Sequence, residues 1–358
     1  MATESKALNE FDQQVIPVSL WNDAWKRLRK NRMALIGLWV VAIYAILAIA
    51  APILPIYDYT TQELLHANLK PSFRPAGEVA LAEIDARLKE VRSLMDNEGR
   101  SDLQPEWDRI TVERDTLLAQ VNTNPVHKRV YIFGTDYMGR DMVARTLYGG
   151  RISMLVGLVG TITAVMLGIL VGAIAGYAGG KLDNYLMRFV DIMYGMPYML
   201  IVIIMMAMFR QEGRSSMVIL FIAIALVSWL TIARVVRGQI ISLKNAEFIE
   251  AARSMGAGPA RIIFRHLLPN TLGVIIVFSS LSLPGFIMSE SFLSFLGLGI
   301  SAPDASWGTL VSDGVSSMEL YPWRLLVPAL AMTIFLFAMN FLGDGLRDAL
   351  DPQSKNRT

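Results

Sequence analysis

The chain has 358 residues, 53% of them hydrophobic and only 18% charged, with a net charge of +2 and a mean hydropathy of +0.42. The net charge by itself says nothing about nucleic acid, and no nucleic-acid partner is expected; the absence of cysteine excludes disulfides and thiolate metal sites. Uncharged runs at 33–57, 152–180, 192–209, 215–233, 267–289 and 325–343 each reach the roughly 18 residues that a helix needs to cross hydrocarbon. The composition therefore predicts an all-α integral membrane protein with six transmembrane helices.

About thirty mostly polar residues precede the first apolar run, so no cleavable signal peptide is expected and the first span serves as an anchor. Within 1–32, Leu20, Trp21, Ala24, Trp25 and Leu28 recur at helical spacing, with Lys26, Arg27, Arg29, Lys30 and Arg32 opposite them. This pattern predicts an interfacial helix on an anionic leaflet. After the first span (33–57), residues 58–151 are the least hydrophobic part of the chain. Ile84, Leu88, Val91 and Met95, then Trp107, Ile110, Leu117 and Val121 across a Gly/Pro break, predict an extracytoplasmic insert built as a helical hairpin. Asp136, Arg140, Asp141 and Arg145 close the insert, and the expectation is that they pair at the outer membrane face.

The remaining five spans and their loops occupy 152–346, followed by a short tail at 347–358. Gly168 and Gly172 in the second span have the spacing that lets helix backbones approach. Pro197 predicts a kink in the third, preceded by Arg188 and Asp191, three apart and able to pair. Residues 238–269 form a polar island whose helix formers stop at Gly256-Ala257-Gly258-Pro259, which predicts a short helix, a bend and a second short helix from Ala260 to Leu268. Span five carries Ser279, Ser280, Ser282 and Ser289, which serve as packing contacts or line a pathway. Pro284-Gly285 should interrupt it, and Glu290 at its edge is costly unless paired or wet. The uncharged run 291–303 is too short to cross and predicts a re-entrant or interfacial segment.

Several letter patterns fail on their context. Lys181 follows Gly179-Gly180, but Ala175 replaces the first glycine of a phosphate loop and Leu182 its hydroxyl residue. Gly297-Leu298-Gly299 opens no helix after a strand, so it is no dinucleotide site. His66, His127 and His266 are scattered, and no metal site or catalytic residue is expected. With the N-terminus inside, the short inner segments hold seventeen Lys and Arg and the short outer loops three, which predicts cytoplasmic termini.

Glu250-Ala251-Ala252, three residues, Gly256 and twelve residues to Pro269 resemble the coupling loop of membrane subunits of ATP-binding-cassette importers. Arg265-His266-Leu267-Leu268-Pro269-Asn270 is similar to the dipeptide, oligopeptide and nickel branch, which shares His266 where the general pattern has Ile. So are Phe133 to Asp136, Tyr148 to Ser153, Ser291 to Gly299, Trp307-Gly308 and Gly343 to Pro352. The resemblance implies the permease fold in a bacterial cytoplasmic membrane, with Pro259 also in the coupling loop. It further implies a second homologous permease, an extracytoplasmic substrate-binding protein, and two ATPase subunits that hold ATP and magnesium, with no cofactor on this chain. Peptides are the expected cargo; nickel or another small solute is the alternative. An ion-coupled secondary transporter would carry mid-membrane charges and inverted repeats, whereas these spans are nearly bare of charge.

Overall fold

The computed structural model describes residues 20–54, 56–209 and 216–350. The terminal tails, the Leu20 and Trp21 side chains, and Arg210 and Arg214 lie outside the described residues. Five helical stretches are long and apolar enough to cross a membrane: Arg32–Ala50 (α2), Met142–Ala178 (α5), Val218–Leu243, Pro259–Phe295 and Trp323–Leu350 (α14). Two further helices, Gly180–Gly195 (α6) and Tyr198–Phe209 (α7), are bent by 79° and make a sixth if the pair counts as one span. The kink expected at Pro197 is thus a break. Met196 is extended, as a residue before proline prefers, and the proline has no N–H to continue the ladder.

Pro284 does the opposite. Helix α12 (Leu268–Phe295) runs through it without interruption, contrary to expectation. No water is available in hydrocarbon to take over backbone hydrogen bonds, so a spanning helix keeps all it can. Ile287, one turn on, is also clamped against Trp307, Phe335 and Met339. Two further expectations change. Residues 291–295 extend α12 instead of starting a re-entrant segment, and the helix stops at Gly297, whose φ of +76° suits a residue without Cβ. The second short helix of the polar island is not separate either. Pro259–Ile262 (α11) passes through a π-turn at Ile263–Leu267 directly into α12, giving one helix of 37 residues.

Val218–Leu243 consists of Ser216–Ser228 (α8) and Leu230–Leu243 (α9). The α5–α9 contact is set by glycine: a Cβ at Gly172 would lie 2.5 Å from the Ala233 carbonyl oxygen, and one at Gly168 would meet Ile232. Only a bare backbone permits that approach. Helix α6 is tied to α9 by two ion pairs, Asp183 with Arg237 at 2.5 and 2.7 Å and Asp191 with Arg234 at 2.6 Å. Asp191 therefore reaches across to α9, where Arg234 lies over the Tyr194 ring, instead of pairing along its own helix with Arg188.

The insert is the expected hairpin, Ala76–Glu98 (α3) and Gln104–Gln120 (α4), turned by Gly99 in the left-handed region. Ile84, Leu88 and Val91 meet Ile110 and Leu117 in a core of their own, which Leu69 and Tyr131 complete. The first helix, Leu20–Lys30 (α1), packs Ala24 and Leu28 on Leu346 and Leu350 at the end of α14. Its Trp25 stays exposed on the other face.

Helix α5, about 55 Å long at 1.5 Å per residue, separates the two ends of the molecule. The hairpin and a short helix, Trp307–Val315 (α13), sit at its start, where Trp307 donates to the Thr146 carbonyl. The polar island sits at its finish, where Arg253 lies over the Tyr177 ring.

Candidate functional sites

The island begins with Glu247–Ser254 (α10). Ile249 and Ala252 are buried, and Ile249 clusters with Ile240, Ile262, Leu267 and Ile275, so the helix is anchored to α9 and α12 through one face. Its other face is open: Glu250 and Ala251 are exposed, as are Gly256, Pro259, Arg265 and Pro269, while His266 is half-buried. Gly256 has φ +80° with nothing within 4 Å of an added Cβ, so backbone geometry selects glycine there. In a regular helix Phe264 would lie close to the apolar face of Ile262 and Leu267. The structure splits that face, because the π-turn rotates Phe264 outward to 70% exposure while Ile262 and Leu267 stay inside. Met255 at 81% exposure and Phe248 at 42% join it. The outcome is an apolar surface edged by Arg253, Arg261 and Arg265, a combination suited to docking a protein.

At the α6–α7 break a cavity of about 320 Å³ lies between Met196, Tyr198, Ser228, Thr231, Phe286 and Ser289. Ser282 also lines it. The hydroxyls of Ser282 and Ser289 donate to the Phe278 and Gly285 carbonyls one turn back, leaving their lone pairs toward a guest. Ser279 and Ser280 make the same kind of bond, to Ile275 and Val277, but stand outside the cavity. The buried Ser228 hydroxyl has no partner among the described residues.

Glu290 does not line this cavity. It is fully buried, and its Oε1 accepts from Ser294 at 2.7 Å and Ser306 at 2.5 Å. Ser306 in turn caps α13, accepting from the Thr309 N–H at 3.0 Å. The carboxyl therefore fastens the 296–306 loop to α12, a role that position at a span edge did not reveal.

At the hairpin end of the bundle Asp136 holds two guanidiniums on one oxygen, Arg140 through Nε at 2.7 Å and Arg145 through Nη1 at 2.5 Å. Its other oxygen accepts the N–H groups of Met138 and Arg140. All three side chains are nearly fully buried. Asp141 is not part of this cluster; it caps α5 by accepting from the N–H groups of Val143 and Ala144. Burial pushes its carboxyl above the usual range, against those two bonds. Beneath the hairpin, His66 Nε2 and His127 Nδ1 lie 2.8 Å apart, both buried. Desolvation, then the neighbouring His127 and Arg129, pushes His66 down to about 4. Sequence spacing could not bring these two histidines together.

Residues 168–356 match the family model described as binding-protein-dependent transport system inner membrane component, and residues 19–71 match the N-terminal transmembrane domain of oligopeptide transport permease C. The oligopeptide transport system permease protein of Haemophilus influenzae is 48% identical over 67% of this chain and 76% of its own length. Its counterpart in Escherichia coli is 39% identical over 98% of both chains. The dipeptide transport system permease protein of Bacillus subtilis is 36% identical over 94% of this chain and 87% of its own.

Proposed function

We propose, from the premise that the chain belongs to the family of inner-membrane components of binding-protein-dependent transport systems, that it is a peptide permease driven by partner ATPases. The observation that carries the coupling is mechanical. One 37-residue helix begins in the exposed island at Pro259 and carries Ser282, Phe286 and Ser289 into the cavity at the α6–α7 break. A partner that closes on Phe264 pushes on the helix that walls the cavity, and Phe248 and Met255 on α10 bear on it through the bend at Gly256. ATP and magnesium belong to two ATPase subunits docked there. A second, homologous permease supplies the facing half of the pathway, and an extracytoplasmic binding protein delivers cargo. The seventeen-to-three bias supports cytoplasmic termini, and α1, the end of α14 and α10 share one end of the bundle. Peptides are favoured over nickel because these relatives are named for oligopeptides and dipeptides.

Gly256→Val tests the coupling. A left-handed β-branched residue costs upward of roughly 1–2 kcal/mol in the loop, while the spans keep their packing. The variant should insert normally yet lose peptide uptake and ligand-stimulated ATP hydrolysis, with ATPase copurification reduced. Normal uptake in Gly256→Val would sink the coupling role. Orientation is checked separately with a membrane-impermeant thiol reagent on intact cells: Ser101→Cys should label and Ser254→Cys should not, and the reverse pattern overturns the topology.

A further inference from the structure

A cavity of about 250 Å³ at the hairpin end, between the start of α5, the 296–304 loop and α13, has its two arginines committed to Asp136. The open feature of this end is instead a band of backbone at the base of the hairpin. Two segments run side by side there, joined by bonds from the Ser72 N–H to the Tyr131 carbonyl at 3.1 Å and from the Ala76 N–H to the Arg129 carbonyl at 2.7 Å. The band is tied to the ends of two spans. The Val130 N–H donates at 3.0 Å to the hydroxyl of Tyr57, just beyond α2, and Trp323, the first residue of α14, donates at 3.1 Å to the Thr135 carbonyl. A tyrosine and a tryptophan at the ends of apolar helices mark the depth of lipid headgroups, so the band lies at the membrane surface.

Phe73 leaves this band 82% exposed, and Ile132 and Phe133 are each nearly half exposed. The band also has charge of one sign: residues 69–77 and 123–135 hold Lys70, Arg74, Lys128 and Arg129 and no Asp or Glu. Lys70 stands 3.8 Å from Glu83 and Arg129 lies over the Tyr57 ring, while Arg74 and Lys128 are exposed with no side-chain partner among the described residues. The arms have the opposite balance, since residues 76–120 carry eleven Asp and Glu against six Lys and Arg.

We propose that the base of the hairpin is a lipid-docking surface, with Phe73, Ile132 and Phe133 in the headgroup layer and Arg74 and Lys128 on the phosphates of anionic phospholipids. An anionic surface attracts nearby cations and repels acidic groups, within a screening length of about 8 Å at physiological salt. The same field therefore holds the base down and keeps the acidic arms up, where α3, about 35 Å long at 1.5 Å per residue, carries the turn far from the band. The inference needs only that the spans cross a bilayer; it is independent of the cargo and of which face of the membrane the hairpin occupies.

The full chain lacks cysteine, so Pro71→Cys and Ser101→Cys each take a single fluorescent label, one at the band and one at the hairpin turn. In phosphatidylglycerol nanodiscs doped with a headgroup-nitroxide lipid, the label at 71 should be quenched strongly and the label at 101 hardly at all. In phosphatidylcholine nanodiscs, or at high salt, quenching at 71 should fall at least about twofold. Arg74→Glu combined with Lys128→Glu should do the same in the anionic discs at an unchanged melting temperature, because neither side chain has a partner in the fold. Phe73→Ser should lower quenching in both lipids. Equal quenching at 71 and 101, or quenching at 71 that ignores both lipid charge and the two Glu substitutions, would each overturn the proposal. So would a label at 71 that is shielded only when partner subunits are present, since a protein then covers the band.

Discussion

The two ends of the bundle both concentrate charge, and they treat it in opposite ways. At the hairpin end Asp136, Arg140 and Arg145 are buried and paired with one another, with only the Arg145 Nε–H left over among the described residues. At the island Glu250, Arg253, Arg261 and Arg265 are exposed beside the exposed Phe248, Met255 and Phe264. Charge that is buried and internally paired holds the fold. Charge left outward next to apolar side chains that a soluble surface would hide suits contact with another protein. The difference predicts that substitutions at the hairpin end change stability first and those at the island change assembly first.

The largest effect is expected for Asp136→Ala, which strands two buried guanidiniums. Removing one partner of a buried ion pair costs about 3–5 kcal/mol, so the variant should show a clear loss of melting temperature or of recovered protein. An unchanged melting temperature would break the comparison from the hairpin side.

An intermediate effect is expected from acid on the hairpin. The His66 pKa is about 4 in the fold against an ordinary value of 6.5, so between those values the unfolded chain binds more protons than the folded one. The stability this histidine contributes is complete above about pH 6.5 and is lost as pH falls toward 4. Protection factors of the α3 and α4 amides, which correct for the intrinsic slowing of exchange in acid, should therefore fall over that window, and His66→Gln should flatten the dependence. Protection factors that do not change with pH would show that the buried histidine pair is not coupled to hairpin folding.

The smallest effect on stability, near zero, is expected for Glu250→Lys. Its consequence should appear only as weaker ATPase copurification and a partial loss of uptake. A lowered melting temperature in this variant would show that the island is part of the core and would erase the contrast between the two ends.

What the sequence made legible follows from periodicity. Ile84, Leu88 and Val91 repeat along one helix face, and the hairpin they predicted is present, as are apolar stretches at each expected span. Two prolines of the same chemistry met opposite fates, since Pro197 breaks a span and Pro284 does not. The difference lies in surrounding packing that no local pattern encodes. Asp191 chose Arg234 over Arg188 for the same reason, the closer partner being on another helix. The cluster at the hairpin end was half legible. Asp136, Arg140 and Arg145 pair, while Asp141 sits immediately before Met142 and is taken by the helix start. The cavity at the hairpin end was invisible, because Arg145, Asp304 and Asp313 converge only after α5, the 296–304 loop and α13 fold against one another.

The glycine seam between α5 and α9 also limits how this molecule can change shape. With the Ala233 carbonyl oxygen 2.5 Å from where a Gly172 side chain would be, and the Arg237 carbonyl oxygen 2.9 Å from where a Gly176 side chain would be, the two helices are held at backbone contact over a full turn. Those two helices are geared together, and with α6 pinned to α9 by two ion pairs they travel as one body. Flexing is left to the extended joint at Met196-Pro197, where α7 can swing against that body and open or shut the cavity beside it.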